Sequence, residues 1–282
     1  MVPCRIEAEA IKSISVNMLS GDKKQMYTID LNNKNAVIFG IANQRSIAWS
    51  ITKQLADAGA NIIAVYQNER VKEPVEKLLS QLETSHMIEC DVSQEENVQK
   101  AFEDIDDYCG SIDTLVHSIA YANKDDLGGK FLKTSREGFL TALDISAYSL
   151  VSITRHATPL MTPGGTIITM SFMAAEKVFP GYNIMSTAKA ALENEVRQLA
   201  NDLGPDDIRV NAISAGPLDT LSSRVISGYR DMKKAHSDRA PMKRNITHDE
   251  VASTALYLCS EMSSGVTGEV VHVDTGYHVM GI

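Results

Sequence analysis

No stretch of the 282 residues approaches the ~18–20 consecutive apolar residues that a membrane-spanning helix requires. The opening MVPCRIEAEAIKSISV has neither the basic flank nor the unbroken apolar core of a secretory leader. A cytoplasmic protein without a membrane partner is therefore expected. Cysteine is scarce: Cys4, Cys90, Cys109 and Cys259 lie far apart with no C-x-x-C pair, which excludes a zinc ribbon or a disulfide framework and predicts free thiols. The seven histidines never fall at H-E-x-x-H or similar ligand spacing, so His117 and His272 are read as packed or surface residues, and no metal is expected. Excess positive charge is also missing. A net charge of −9 disfavours broad nucleic-acid binding, although a local basic patch could still receive an acidic partner.

What the chain does have is core material, with 44% hydrophobic residues over a length that allows one large α/β domain or two small ones. Seven short β-branched or apolar runs recur: NAVIFG, ANIIAVY, SHMIECDV, IDTLVHSIA, GTIITMS, IRVNAIS and GEVVHV. Segments between them, such as SIAWSITKQLADAG and ENVQKAFEDIDDYCG, place apolar residues at i, i+3 and i+4 and end at glycine. Strands alternating with helices predict right-handed β-α-β units, hence a single Rossmann-like domain with a doubly wound, parallel, seven-stranded sheet and helices on both faces. Residues 1–33 show no strong periodicity and are read as an extension and lead-in, with Met26 as an alternative start; the catalytic domain is expected over 34–282.

A full G-x-G-x-x-G fingerprint is absent. The first predicted strand ends in FGIANQRSIAWS, with Gly40 alone at the turn and Ser46 and Ile47 opening the following helix. Free amides and the positive helix end favour a pyrophosphate there, and Ser46 either caps the helix or donates to that phosphate. Two more strand ends join it. In CDV, Asp91 could accept from an adenine amino group while Val92 faces the ring; in HSIA, Ser118, Ile119 and Ala120 offer a small backbone beside a nicotinamide ribose. Taken singly, each of these also reads as loop capping. All lie at strand carboxyl ends, where a doubly wound sheet takes its ligand. The second strand ends in VYQNER, with neutral Gln67 where an acid would mark NADH and an arginine NADPH. Arg70 opens the next helix and reads as solvated, so NADH is expected.

Tyr182 and Lys189 stand seven apart, whereas short-chain reductases of ketones pair Tyr and Lys four apart. On a helix, seven residues return to nearly the same face two turns on, so both could line one cleft. The position four before Lys189 is Met185, and the position of the serine that binds a ketone oxygen is Phe172. Neither can serve a carbonyl under reduction. Chemistry in which hydride lands on carbon fits better.

The stretches GIANQRSIAWS, YQNER, CDV, HSIAYA, DISAYS, YNIMSTAKAALE, VNAISAGPLDTL and TGEVVHVDTGYH resemble, in order and spacing, the NADH-dependent enoyl-acyl-carrier-protein reductases of bacterial type II fatty-acid synthesis, a branch of the short-chain dehydrogenase superfamily, over roughly residues 30–280. The resemblance implies reduction of a trans-2-enoyl chain carried on acyl carrier protein, and a homotetramer. It makes Tyr182 the hydrogen-bond donor to the thioester carbonyl and enolate, and Lys189 the residue that binds the nicotinamide ribose. Ala215, Gly216, Pro217, Leu218 and Thr220 would bracket the carboxamide, and Ala122, Phe172, Tyr182 and Met185 would face the substrate. Two departures stand out: the family usually has a second tyrosine at Phe172 and a basic residue at Asp219. Two other readings are a 3-oxoacyl (carbonyl) reductase of the same superfamily and a catalytically impaired nucleotide-binding paralogue.

Residues 218–245 are expected to form a substrate lid and a carrier-protein landing site. They hold Arg224, Arg230, Lys233, Lys234, Arg239, Lys243 and Arg244 against Asp219, Asp231 and Asp238 in an otherwise acidic chain. The alternative is an ordinary solvated helix.

Overall fold

The computed structural model of the chain describes residues 15–18, 25–162, 164–221, 223 and 228–281. Cys4, most of the 1–33 extension and Arg224 of the lid lie outside the described residues. Within that extension a two-stranded antiparallel ribbon joins β1 (Ser15–Met18) to β2 (Gln25–Thr28).

The remaining strands are β3 (Asn35–Phe39), β4 (Asn61–Tyr66), β5 (Ser85–Glu89), β6 (Thr114–His117), β7 (Gly165–Ser171), β8 (Ile208–Ala215) and β9 (Val270–Val273). They form one parallel sheet in the order β5-β4-β3-β6-β7-β8-β9. The doubly wound, seven-stranded α/β fold read from the sequence is the fold of the chain. The five central strands, β3, β4, β6, β7 and β8, are buried on both faces, which is why they read as apolar runs, while the edge strands β5 and β9 are only partly buried. In β3, Ala36 and Ile38 join the core under α1 (Ile47–Asp57), α2 (Glu69–Leu79) and α8 (His248–Leu258). Val37 and Phe39 point the other way, into the core under α3 (Glu95–Cys109), α5 (Ser149–Ala157) and α6 (Ile184–Leu203). Burying a side chain such as Phe39 or Ile38 contributes ~1.5–3 kcal/mol, so each face holds the alternation in register.

Local chemistry sets the helix ends. Asn68 caps α2 through the Arg70 amide, Ser135 caps α4 (Arg136–Leu143) through the Gly138 amide, and α8 opens on a capping box of Thr247 and Glu250. Gly110 stops α3 in the left-handed region at φ 67°. A π turn, Asp144–Tyr148, joins α4 to α5, and α7 (Tyr229–Arg239) lies in the expected lid. Among the described residues, no helix is long and apolar enough to cross a membrane, and no group of three histidine, cysteine or acidic side chains is arranged to hold a metal. Cys90, Cys109 and Cys259 are free thiols.

Candidate active site

The winding reverses between β3 and β6, and the strand ends at such a switch point are where a doubly wound sheet takes its ligand. Gly40 follows β3 at φ +99°, and a Cβ on it would lie 2.1 Å from the Ser118 carbonyl oxygen that follows β6. The two loops therefore touch, and only glycine permits it. Ser46 Oγ accepts from the amides of Ala42 (3.0 Å) and Asn43 (3.1 Å), folding the turn back on itself. The amides of Ile47 and Ala48 have no acceptor among the described residues. A helix end with open amides, ahead of a side-chain-free glycine, fits a pyrophosphate, so the residues present fit a dinucleotide.

Other expected contacts follow the same edge of the sheet. Asp91 has one carboxylate oxygen taken by Ser93, from both amide (3.0 Å) and hydroxyl (2.8 Å), so its capping role is real; Val92 packs on the core beside it. Gln67 is exposed after β4, and Arg70 is exposed on α2 with its amide held by Asn68 at 3.1 Å. Ala215, Gly216, Pro217 and Leu218 are buried after β8. Ala215, Gly216 and Pro217 line one small cavity with Phe172, Phe179 and His236. Ile119 and Ala122 are half-buried and Ala120 is exposed at the β6 end; Thr220 begins the lid, its amide bonded to Ser223 Oγ at 2.9 Å.

The Tyr182–Lys189 spacing has a different origin from the helical phase argued above. Helix α6 begins at Ile184, so Tyr182 precedes it. It stands between Gly181 at φ 85° and Asn183 at φ 43°, and Asn183 donates through Nδ2 to the Gly128 carbonyl. The Gly128 amide returns a bond to the Gly181 carbonyl at 2.8 Å. This turn lifts the phenol off the helix axis. Phe172 packs against it edge-on at 5.1 Å between ring centroids and against Phe179 at 4.8 Å. Burial, and then the neighbouring Tyr229, raise the Tyr182 hydroxyl well above the ordinary phenol range, which keeps it a proton-bearing donor.

Lys189 is 4% exposed and donates to the Met170 carbonyl at 2.7 Å. Burial pushes its ammonium down to about 8, with Glu193 and Glu195 pulling the other way. Met185 is buried under the turn, its sulfur 3.8 Å from Ser146 Oγ. His117 is a packed residue: Nδ1 lies 2.8 Å from Thr169 Oγ1 and Nε2 2.8 Å from Ser149 Oγ, and burial followed by the charge of Lys189 pushes it down to about 3.

Four side chains in this region went unnoticed in the sequence. Ser146, in the π turn, pins Tyr121 through both its amide and its carbonyl at 2.8 Å; π turns favour functional sites, but no periodicity announces one. Tyr229 opens α7, and its hydroxyl donates to the Leu218 carbonyl. His236 is 4% exposed and stacks on Tyr277 at 4.8 Å. Glu193 is the fourth; its signal was an acid four residues past a lysine on an otherwise apolar helix face. At Asp219, where a basic residue is usual, the carboxylate pairs with Lys233 at 2.6 Å across the lid.

Comparison with known proteins places most of the chain beside a described family. The family model described as "Enoyl-(Acyl carrier protein) reductase" matches residues 40–278. The chain is 49% identical over 254 residues to the enoyl-[acyl-carrier-protein] reductase [NADPH] FabI of Staphylococcus aureus, covering 89% of this chain and 99% of that one. It is 47% identical over 257 residues to the enoyl-[acyl-carrier-protein] reductase [NADH] FabI of a Nostoc species, covering 90% and 100%. Among solved structures it superimposes on the Bacillus cereus enoyl-acyl carrier protein reductase, crystallised with NADP+ and an indole naphthyridinone, with a TM-score of 0.88 at 46% identity over 90% of this chain and 100% of the other. A family match over residues 40–278, with relatives 46–49% identical across about nine-tenths of the chain on the same fold, means that this chain belongs to the enoyl-(acyl carrier protein) reductase family.

Proposed function

We propose that the chain reduces the trans-2 double bond of an enoyl thioester on acyl carrier protein, with NADH as its preferred reductant and Tyr182 and Lys189 as its catalytic pair. The observation that carries the residue assignment is the turn at 181–183: it offers one high-pKa phenol to the cleft while Met185 and Phe172, the positions of a ketone reductase's donors, carry no hydroxyl. That same lack argues against the carbonyl-reductase reading, and an intact Tyr182 and Lys189 argue against an impaired paralogue.

When bound, the reduced nicotinamide supplies a hydride to the substrate β-carbon. Tyr182 donates a hydrogen bond to the thioester oxygen, which gathers negative charge as the enolate forms. In a desolvated cleft that bond is stronger in the transition state than in the ground state. Lys189, anchored on Met170, would hold the ribose, and its positive charge lowers the energy of the negative charge that develops nearby. Phe172 gives the acyl chain an apolar wall and fixes the tilt of the Tyr182 ring. The decisive assay compares NADH oxidation with crotonyl and longer enoyl thioesters against the matching 3-oxoacyl thioesters; turnover of the 3-oxo series alone would reverse the reading.

Gln67 supports NADH over NADPH, because the side chain that follows β4 is neutral and offers no charge to a 2′-phosphate. Gln67→Arg is expected to narrow or reverse the ratio of kcat/KM for the two cofactors. A wild-type preference for NADPH would point to Arg70 reaching the phosphate.

The lid supports docking of an acidic carrier. Lys233 and Lys234 pair with Asp219 and Asp238, yet Arg230 and Arg239 stay exposed with no ion pair among the described residues. Reversing charge at Lys233 and Lys234 together is expected to raise KM for the carrier-linked substrate about tenfold, with an effect that shrinks as salt rises. Because Lys233 also holds Asp219, a short coenzyme-A thioester serves as control. Equal losses on both substrates would mean a disturbed lid and no carrier patch. A homotetramer, implied by the resemblance, and a cytoplasmic location complete the proposal.

A further inference from the structure

We propose that Glu193 is a positioning residue of this active site, whose buried carboxylate holds the end of β7 in place and keeps the neighbouring Lys189 charged. The inference rests on the role assigned to Lys189 above.

Glu193 lies one turn beyond Lys189 on α6, and the two are 6% and 4% exposed. Around them the buried face of the helix is Ala188, Leu192, Val196 and Ala200. A carboxylate in such a place costs several kcal/mol unless hydrogen bonds and opposite charge offset it. Two features do so here. The Ser171 hydroxyl donates to Glu193 Oε1, and the ammonium of Lys189 acts on it through space. Lys189 in turn donates to the carbonyl of Met170, the residue before Ser171. Consecutive residues of β7 are thus clasped by residues one turn apart on α6. The next residue is Phe172, whose ring packs on Tyr182. A shift of the strand end would be passed directly to the donor.

The electrostatic half follows from what faces Lys189. From its own helix come Glu193 and Glu195; from β6 comes His117. His117 is held neutral, and burial raises Glu195 to about 7, so it is only partly ionised near neutrality. Burial, with the charge of Glu176, raises Glu193 above the usual carboxylate range, while the Ser171 bond, Arg197 and Lys189 limit that rise. Burial has already pushed Lys189 down to about 8. Its charge is therefore complete below that pH and is lost as pH rises through it. Removing the Glu193 charge must lower the Lys189 pKa further and bring that loss to lower pH.

The test titrates NADH by fluorescence from about pH 6 to about pH 10, a range that spans the lysine transition, on wild type, Glu193→Gln and Ser171→Ala. Thermal unfolding and steady-state kinetics accompany each titration. Wild-type affinity is expected to fall above about 8. In Glu193→Gln the fall should begin at lower pH, with NADH bound ~10-fold more weakly near the wild-type midpoint. Ser171→Ala leaves the carboxylate in place but removes its hydroxyl partner, so its fall should move less than that of Glu193→Gln while KM for the enoyl thioester rises. Glu193→Asp, which also keeps the charge, should hold the wild-type limb even where Glu193→Gln folds poorly. A Glu193→Gln protein that merely unfolds at lower temperature, with its NADH limb unmoved, overturns the proposal; so does a Glu193→Asp limb displaced from that of wild type. A wild-type affinity flat across the range overturns the role of Lys189 as well, which separates the two failures.

Discussion

Replacing Tyr182 with phenylalanine is expected to lower kcat by ~10²–10³-fold, the loss seen when one oxyanion donor is removed from a preorganised site. The change deletes one oxygen that has no hydrogen-bond partner among the described residues, so the fold loses little and the deficit should sit in the chemical step. Phe172→Tyr is the matching probe. If one phenol suffices, restoring the family's usual second hydroxyl should leave kcat nearly unchanged and move KM or chain-length preference instead. A tenfold or larger gain in kcat would mean that the wild-type cleft is impaired. A harmless Tyr182→Phe would move the donor assignment elsewhere, and Tyr229, the other phenol that acts on Tyr182 electrostatically, would be the next residue to replace.

Gly40→Ala should be nearly as severe, for a different reason. Its φ of +99° is costly for any residue with a Cβ, by ~1–3 kcal/mol, and the added carbon would sit 2.1 Å from the Ser118 carbonyl oxygen. A backbone atom cannot rotate aside as a side-chain tip can, so relief requires the β3 and β6 loops to part, at overpacking costs of another ~1–3 kcal/mol. At ~2–4 °C per kcal/mol for a domain of this size, Tm should drop by roughly 5–20 °C. NADH affinity should fall at least ~100-fold, since the two loops that part are the strand ends at the switch point, where such a sheet takes its dinucleotide. Differential scanning calorimetry with a fluorescence titration reads both. A variant with wild-type Tm and wild-type affinity would show that the loop contact is dispensable.

The sheet was legible in the sequence because its central strands are buried on both faces and so appear as short apolar runs; all seven runs became strands in one sheet, with the partly buried β5 and β9 at its edges. Gly40, Ser46 and Gly216 were legible by position, as the residues that follow strands. What stayed hidden depends on tertiary partners. The β1–β2 ribbon is too short to set up a period. The π turn around Ser146 continues a helical pattern without interrupting it. His236 looks like a solvated lid residue until its ring is seen against Tyr277. The seven-residue spacing was read as two turns of helix, whereas Gly181 and Asn183 break the backbone ahead of α6. Positive φ at an asparagine is set by its bond to Gly128, 55 residues away in sequence, which no local pattern encodes.

That broken turn bears on how enoyl and ketone chemistries can be exchanged on one scaffold. Moving the phenol to the four-residue spacing by Met185→Tyr would put it inside α6 beside Ser146, and not on the turn that presents Tyr182. Deleting Tyr182 at the same time would leave Asn183 strained with nothing to present. The position of the phenol is thus fixed by the course of the main chain between Phe179 and Ile184, where Gly181 and Asn183 carry positive φ, and a single side-chain exchange leaves that course unchanged.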